Sequence, residues 1–173
     1  APAWLMGSAR SLIELVSDES WIPVIDRFLS DIWKTAIVRP ATETRELHGL
    51  RDRDEQVMML RGVPVRQKPF GLMTLRDIVI LRTEFATAFA ECATILDSII
   101  LMDTVPEPQT ETDLLARGYH ILVKDGLFIR ADGVVVAGRQ AGTGIAGTGI
   151  CALQKESETL GSQIIMHREQ QTS

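Results

Sequence analysis

Three observations predict an α+β fold. Residues 21–38 carry apolar side chains at helical spacing, a stretch from Leu75 to Met102 is free of Gly and Pro, and the chain then changes to short apolar runs separated by Asp-Gly pairs. Helical periodicity first and strand periodicity later favours α+β over a parallel α/β sheet. The expected architecture is a set of N-terminal amphipathic helices and one long central helix packed on a small antiparallel β-meander. The expected organisation is a single α+β domain over residues 1–152, followed by a short strand and a polar C-terminal tail over residues 153–173.

At the start, Ser8 is placed to cap a short helix carrying Leu12, Ile13, Leu15 and Val16. Ser20 then precedes Trp21-Ile22-Pro23, a cap with proline in the first turn. Val24, Ile25, Phe28, Leu29, Ile32, Trp33, Ala36 and Ile37 recur at spacings of three and four. This predicts an amphipathic helix that ends before Arg39-Pro40, because the residue before proline avoids the helical region. Residues 41–70 mix Arg and Lys with Asp and Glu and read as a solvated, ion-paired surface. A helical turn or two is expected around 54–60, closed by Gly62, and an extended piece over Val63-Pro64-Val65-Arg66.

Thr74 is the expected cap of the long helix. Ile78, Leu81, Phe85, Ala88 or Phe89, Cys92, Ile95 or Leu96, Ile99 and Met102 step by three and four along one side. Glu84, Thr87, Glu91, Thr94 and Ser98 form one narrow polar stripe. At about 1.5 Å per residue such a helix would reach roughly 40 Å. Val105-Pro106-Glu107-Pro108 breaks the pattern, and a short helix at 113–117 should close at Gly118, a left-handed C-cap. Tyr119–Val123, Leu127–Arg130 and Val134–Ala137 are read as a three-stranded meander, since Asp-Gly between apolar runs signals a hairpin.

The chain is 173 residues long with 45% apolar content, enough for a packed core and too much for general disorder. No apolar run approaches the roughly 18–20 residues of a spanning helix. The net charge of −5 argues against indiscriminate coating of nucleic acid. It averages a polarised chain: residues 39–68 hold seven basic and five acidic side chains, whereas 83–116 hold seven acidic and no basic ones. Such polarity steers partners and fixes their register. The basic side chains are 14 Arg and only 4 Lys, suited to interface ion pairs and phosphate contacts alike. Two cysteines, Cys92 and Cys151, form no disulfide framework or zinc motif, which places the chain in a reducing, intracellular compartment, cytoplasmic or within a large assembly. The first residues lack a basic region followed by an apolar run, so no secretory leader is expected.

Candidate chemistry is sparse. Gly142-x-Gly144-x-x-Gly147, inside a tandem Ala-Gly-Thr-Gly-Ile repeat, matches the spacing of a dinucleotide fingerprint, but no βαβ context surrounds it. His48, His120 and His167 are the possible bases, and a Cys151–His120 pair is the one nucleophile–base combination worth naming. Glu84 and Glu91 share a stripe that could ligate a metal, yet the Glu-x-x-His partner motif is missing. No catalytic residue, metal or cofactor is therefore assigned. The leading expectation is a non-catalytic structural or assembly subunit of a larger complex, viral and organellar particles included, acting through self or other protein subunits. The alternatives are an RNA-contacting protein using Arg45, Arg51, Arg53, Arg61 and Arg66, and a small enzyme or nucleotide binder at the glycine-rich loop over 138–149.

Overall fold

A computed structural model describes residues 3, 5–11, 13–40, 42, 44–50, 59–64, 67–138 and 150–172. The chain opens with two short strands, β1 (Leu5–Ser8) and β2 (Ile13–Val16), joined by a 3-10 turn at Ala9–Ser11. The helix expected around Leu12–Val16 is therefore not formed. Ile13 and Val16 are buried by pairing β2 with a later strand, and β-branched residues suit that pleated surface.

Asp18 accepts the backbone N–H of Ser20 at 3.0 Å and starts a 3-10 turn at Glu19–Trp21. Helix α1 (Ile22–Phe28) follows, with Pro23 in its first turn, then α2 (Ser30–Trp33) after a break at Leu29. The expected helix is real but shorter: Ile37 and Val38 belong to β3 (Ala36–Val38), which pairs antiparallel with β1. Next come α3 (Thr44–His48), β4 (Met59–Leu60) and β5 (Val63–Pro64). Residues 51–58, where most of a helical turn was expected, lie outside the described residues.

The single helix expected from Leu75 to Met102 is replaced by a chain of short elements. These are β6 (Met73–Thr74), α4 (Leu75–Ile78), β7 (Val79–Leu81), α5 (Thr83–Ala88), β8 (Cys92–Ala93), a 3-10 turn at Ile95–Ser98, and β9 (Ile99–Met102). Two capping boxes start the short turns. The Asp77 carboxylate accepts the Thr74 backbone N–H at 2.7 Å and its hydroxyl at 3.1 Å. Asp97 does the same for Thr94, at 2.6 and 3.2 Å. After each turn comes an apolar run rich in β-branched residues, Val79-Ile80-Leu81 or Ile99-Ile100-Leu101-Met102, which prefers strand.

Helix α6 (Pro108–Ala116) ends as the sequence predicts, with Gly118 at φ +85° donating to Leu115. The meander is also present: β10 (His120–Val123), β11 (Leu127–Ile129) and β12 (Val135–Ala137) pair antiparallel. Its second turn needs Gly133 at φ +88°. The chain closes with α7 (Ile150–Thr172), so the short strand expected after residue 152 is helix instead.

The main sheet has the order β12-β11-β10-β9-β6, with β9 and β10 parallel and the other pairs antiparallel. Alternation splits its side chains between two clusters. Ile99, Leu101, Leu122 and Phe128 face a core with Trp21, Ile25, Leu29, Leu75 and Phe85. Ile100, Ile121, Val123 and Ile129 face the other way, against Leu114 of α6 and Tyr119. A strand buried on both faces reads as a continuous apolar run, which hides its period. The α+β class holds.

Candidate interaction surface

The sheet ends in an edge that the described part of the chain leaves open. Strand β12 is the outer strand beside β11, and Val135, Val136 and Ala137 are all exposed. Val134, Val135 and Val136 keep 48%, 56% and 42% of their surfaces in solvent. The hairpin that presents them is tightly tied. Arg130 donates its backbone N–H to Val134 at 2.8 Å and Gly133 donates to Arg130 at 3.0 Å. Asp132 accepts the Val134 N–H and pairs with the Arg130 guanidinium at 2.7 Å. Those bonds hold the Asp132 carboxyl below the usual aspartate range, the Val134 N–H contributing most. An ordered, valine-rich edge of this kind is a template for another strand.

A second surface is α7. Its first turns seat it on the domain. Asp26 of α1 accepts the Cys151 backbone N–H at 3.0 Å, Lys155 pairs with Glu19, and Gln154 reaches the Ile13 carbonyl at 3.5 Å. From Glu156 to Gln171 every residue is exposed. Leu153, Ser157, Leu160, Ile164 and His167 recur at steps of four, three, four and three, and Ile165 and Met166 lie beside them. That is the heptad seam by which one helix packs along another. The same spacing was available in the sequence, inside the stretch read as a polar tail.

Neither surface was among the site residues expected from sequence. Of the arginines, Arg45 is exposed on α3, and Arg61 donates to the Thr44 hydroxyl at 3.2 Å, bringing these two segments together. Arg51, Arg53 and Arg66 lie outside the described residues, as do Gly142, Gly144 and Gly147. Cys151 and His120 each have another partner. His120 Nδ1 accepts from the Ala131 N–H, while burial and the neighbouring Asp26 carboxylate push the Cys151 thiol far up, away from thiolate chemistry. Glu84 and Glu91 are exposed, and no group of three possible metal ligands occurs among the described residues. A cleft of about 210 Å³ is lined by Lys68, Arg76, Asp77, Cys92, Asp97 and Tyr119. Its charges are matched internally, Lys68 to Asp77 at 2.6 Å and Arg76 to Asp97 at 3.9 Å. No described helix is long and apolar enough to cross a membrane.

No family model matches the chain, and no curated protein sequence does. Solved structures do. The chain is similar to the SMC hinge domain of Geobacillus stearothermophilus, crystallised as an asymmetric dimer, with a TM-score of 0.63, 14% identity, and coverage of 96% of this chain and 69% of that one. It is similar to the Pyrococcus furiosus SMC protein hinge domain at a TM-score of 0.52 and 16% identity, over 83% of this chain and 78% of that one. A Pyrococcus furiosus Smc hinge domain with an extended coiled coil gives a TM-score of 0.55 and 14% identity, over 97% of this chain but only 63% of that one. At such identities the likeness is one of fold.

Proposed function

We propose that this chain is a non-catalytic assembly module that joins polypeptides through two surfaces, the β12 edge and the heptad seam of α7. The observation that carries the proposal is β12: an ordered outer strand whose three residues are exposed on both faces. A second copy can extend the sheet there by backbone hydrogen bonding, in a symmetric or an asymmetric pair. Similarity to a hinge domain crystallised as an asymmetric dimer supports that mode. Helix α7 leaves the domain with its seam exposed and packs on a helix of matching heptad pattern. Similarity to a hinge domain that continues into a coiled coil supports this second contact.

The test is mass in solution as a function of concentration, by sedimentation equilibrium. A monomer–dimer equilibrium is expected, and a strict monomer up to about millimolar concentration, where even weak specific contacts register, removes the self-association reading.

A second reading, RNA contact through the exposed arginines, has the Arg61–Thr44 bond in its favour, because it sets Arg61 beside Arg45. It expects binding that weakens steeply with salt. Binding to a single-stranded RNA that is absent at low salt disposes of it.

A further inference from the structure

Both turns of the meander contain an Asp-Gly pair, Asp125-Gly126 and Asp132-Gly133. Asp-Gly is also the dipeptide in which a backbone nitrogen most readily attacks the preceding side chain, because glycine puts no Cβ in the way. The two turns are alike in their backbones. Gly126 stands at φ +117° and donates its N–H to Val123 at 3.1 Å, and Gly133 stands at φ +88° and donates to Arg130 at 3.0 Å. They differ in the carboxylate. One Asp132 oxygen accepts the Val134 N–H at 3.2 Å, and the other accepts from the Arg130 guanidinium at 2.7 Å. Asp125 is exposed and makes no hydrogen bond or ion pair to any described residue.

We infer that Asp125 is a site of spontaneous covalent modification, isomerising to isoaspartate, and that Arg130 and Val134 protect Asp132 from the same reaction. In the first step the Gly126 nitrogen attacks Cγ of the protonated Asp125 carboxyl. A C–N bond forms, the nitrogen gives up its proton and the carboxyl its hydroxyl, and the two leave as water. The product is a cyclic succinimide. Solvent water then adds at either carbonyl. Addition at Cγ restores aspartate. Addition at the main-chain carbonyl breaks the original peptide C–N bond, frees that carboxylate and leaves the chain running through Cγ to Gly126.

The attack requires the carboxyl to turn towards the next nitrogen and to be protonated, since a carboxylate is a poor electrophile. At Asp132 both requirements are opposed. Turning breaks the bonds to Val134 and Arg130, the latter an ion pair. The same bonds, the Val134 N–H foremost, hold its carboxyl below the usual aspartate range. At Asp125 no such bond has to break. The consequence is local as well. Lys124 lies over the Trp21 ring at 5.2 Å, and a Cβ on Gly126 would meet the Arg27 guanidinium at 3.1 Å. The isomer lengthens this turn by a methylene, so the disturbance falls on its contact with the N-terminal helices and spares the β12 hairpin.

The test needs no partner, so its outcome is independent of the assembly reading. The intact chain is kept for several weeks at mildly acidic pH, below its melting range. It is then digested with endoproteinase Asp-N, which cuts before aspartate but not before isoaspartate, and electron-transfer fragmentation of uncut peptides locates the isomer. Synthetic peptides spanning each turn, treated alike, give the conversion of each pair without the fold. After that normalisation, conversion at Asp125 should exceed that at Asp132 at least about tenfold, the factor imposed by one charge-assisted hydrogen bond broken on the way to the transition state. Arg130→Gln should raise conversion at Asp132 and leave Asp125 as it was. Equal conversion at the two sites, or faster conversion at Asp132, overturns the inference. Unchanged protection of Asp132 in a folded Arg130→Gln chain also overturns it.

Discussion

The Asp26 carboxylate accepts the backbone N–H of Cys151 at 3.0 Å, across 125 residues of chain. It sits where the first amides of α7 have no intrahelical acceptor, and where a negative charge is favoured by the helix dipole. Lys155–Glu19 and Gln154–Ile13 complete a small seat around this bond. The direction in which α7 leaves the domain is therefore set by side chains of the N-terminal third of the chain.

Replacing Asp26 by Ala should cost about 1 kcal/mol, the usual value of a lost N-terminal cap. For a chain of this length that lowers Tm by about 2–4 °C. The loss should be local. Hydrogen exchange should rise in α7 and leave β9 and β10 unchanged. Equal loosening of the central strands would mean that Asp26 supports the core and not the helix seat.

The capping box of Thr74 and Asp77 yields a pH-dependent expectation. Burial tends to raise the Asp77 carboxyl, but the bonds from Lys68 and from Thr74 outweigh it and hold the group below the usual aspartate range. A carboxyl lowered in the fold stabilises above its ordinary value of about 3.9, and that contribution fades as pH falls below it. The exposed Lys68 pair adds little, so the cap itself is the main part. Asp77→Asn should destabilise by on the order of 1 kcal/mol at pH 7 and by almost nothing near pH 2. Urea unfolding of both chains at the two pH values measures the gap. An unchanged gap would show that charge on Asp77 is irrelevant.

How much of this was readable from the sequence depends on which faces are buried. The meander over 119–137 was legible because Asp-Gly pairs mark its turns, and α6 because Gly118 closes it. The segment 75–102 misled for a physical reason. Ile99, Ile100 and Leu101 are buried on both faces, so no alternation shows, and apolar residues then fit a helical period by chance. The second Thr-x-x-Asp at Thr94–Asp97 was the available signal that a new turn begins inside the supposed helix. Helix α7 was missed in the opposite way. Its apolar seam at Leu153, Leu160 and Ile164 is thin because it has no core of its own to cover. The β12 edge was read correctly as a strand. Its lack of an outer neighbour among the described residues is a property of strand order, which local periodicity does not carry.

If β12 is the self-association edge, charge placed on it should break the contact and spare the fold. Val135 is opposite Ile129 in the β11 register and is 56% exposed, so a lysine there has room to reach water. Lysine on an edge strand blocks further pairing by burying an uncompensated charge. Val135→Lys should weaken dimerisation at least about tenfold, while stability stays within about 0.5 kcal/mol, as for ordinary surface changes. Sedimentation equilibrium and thermal melts of the same samples separate the two effects. Dimerisation at native strength would move the interface away from β12.

From Glu156 to Gln171 every residue of α7 is exposed, so helix propensity weighs heavily in these turns. Gly161 lies in the middle of this stretch, and a Cβ added there would meet no atom within 4 Å. Glycine costs a helix interior about 1 kcal/mol relative to alanine. Gly161→Ala should therefore raise the helical circular-dichroism signal at 222 nm and slow exchange between residues 156 and 172. The domain's melting should not move, since the added methyl touches no core atom. Ile164→Asp serves as the converse: it removes an apolar residue from the seam while leaving the isolated domain equally stable. If the seam is where a partner helix packs, Gly161→Ala should tighten that contact by stiffening the helix in its bound form, and Ile164→Asp should abolish it. Tighter binding of the Asp variant, or no difference between the two, would place the partner on another face of α7.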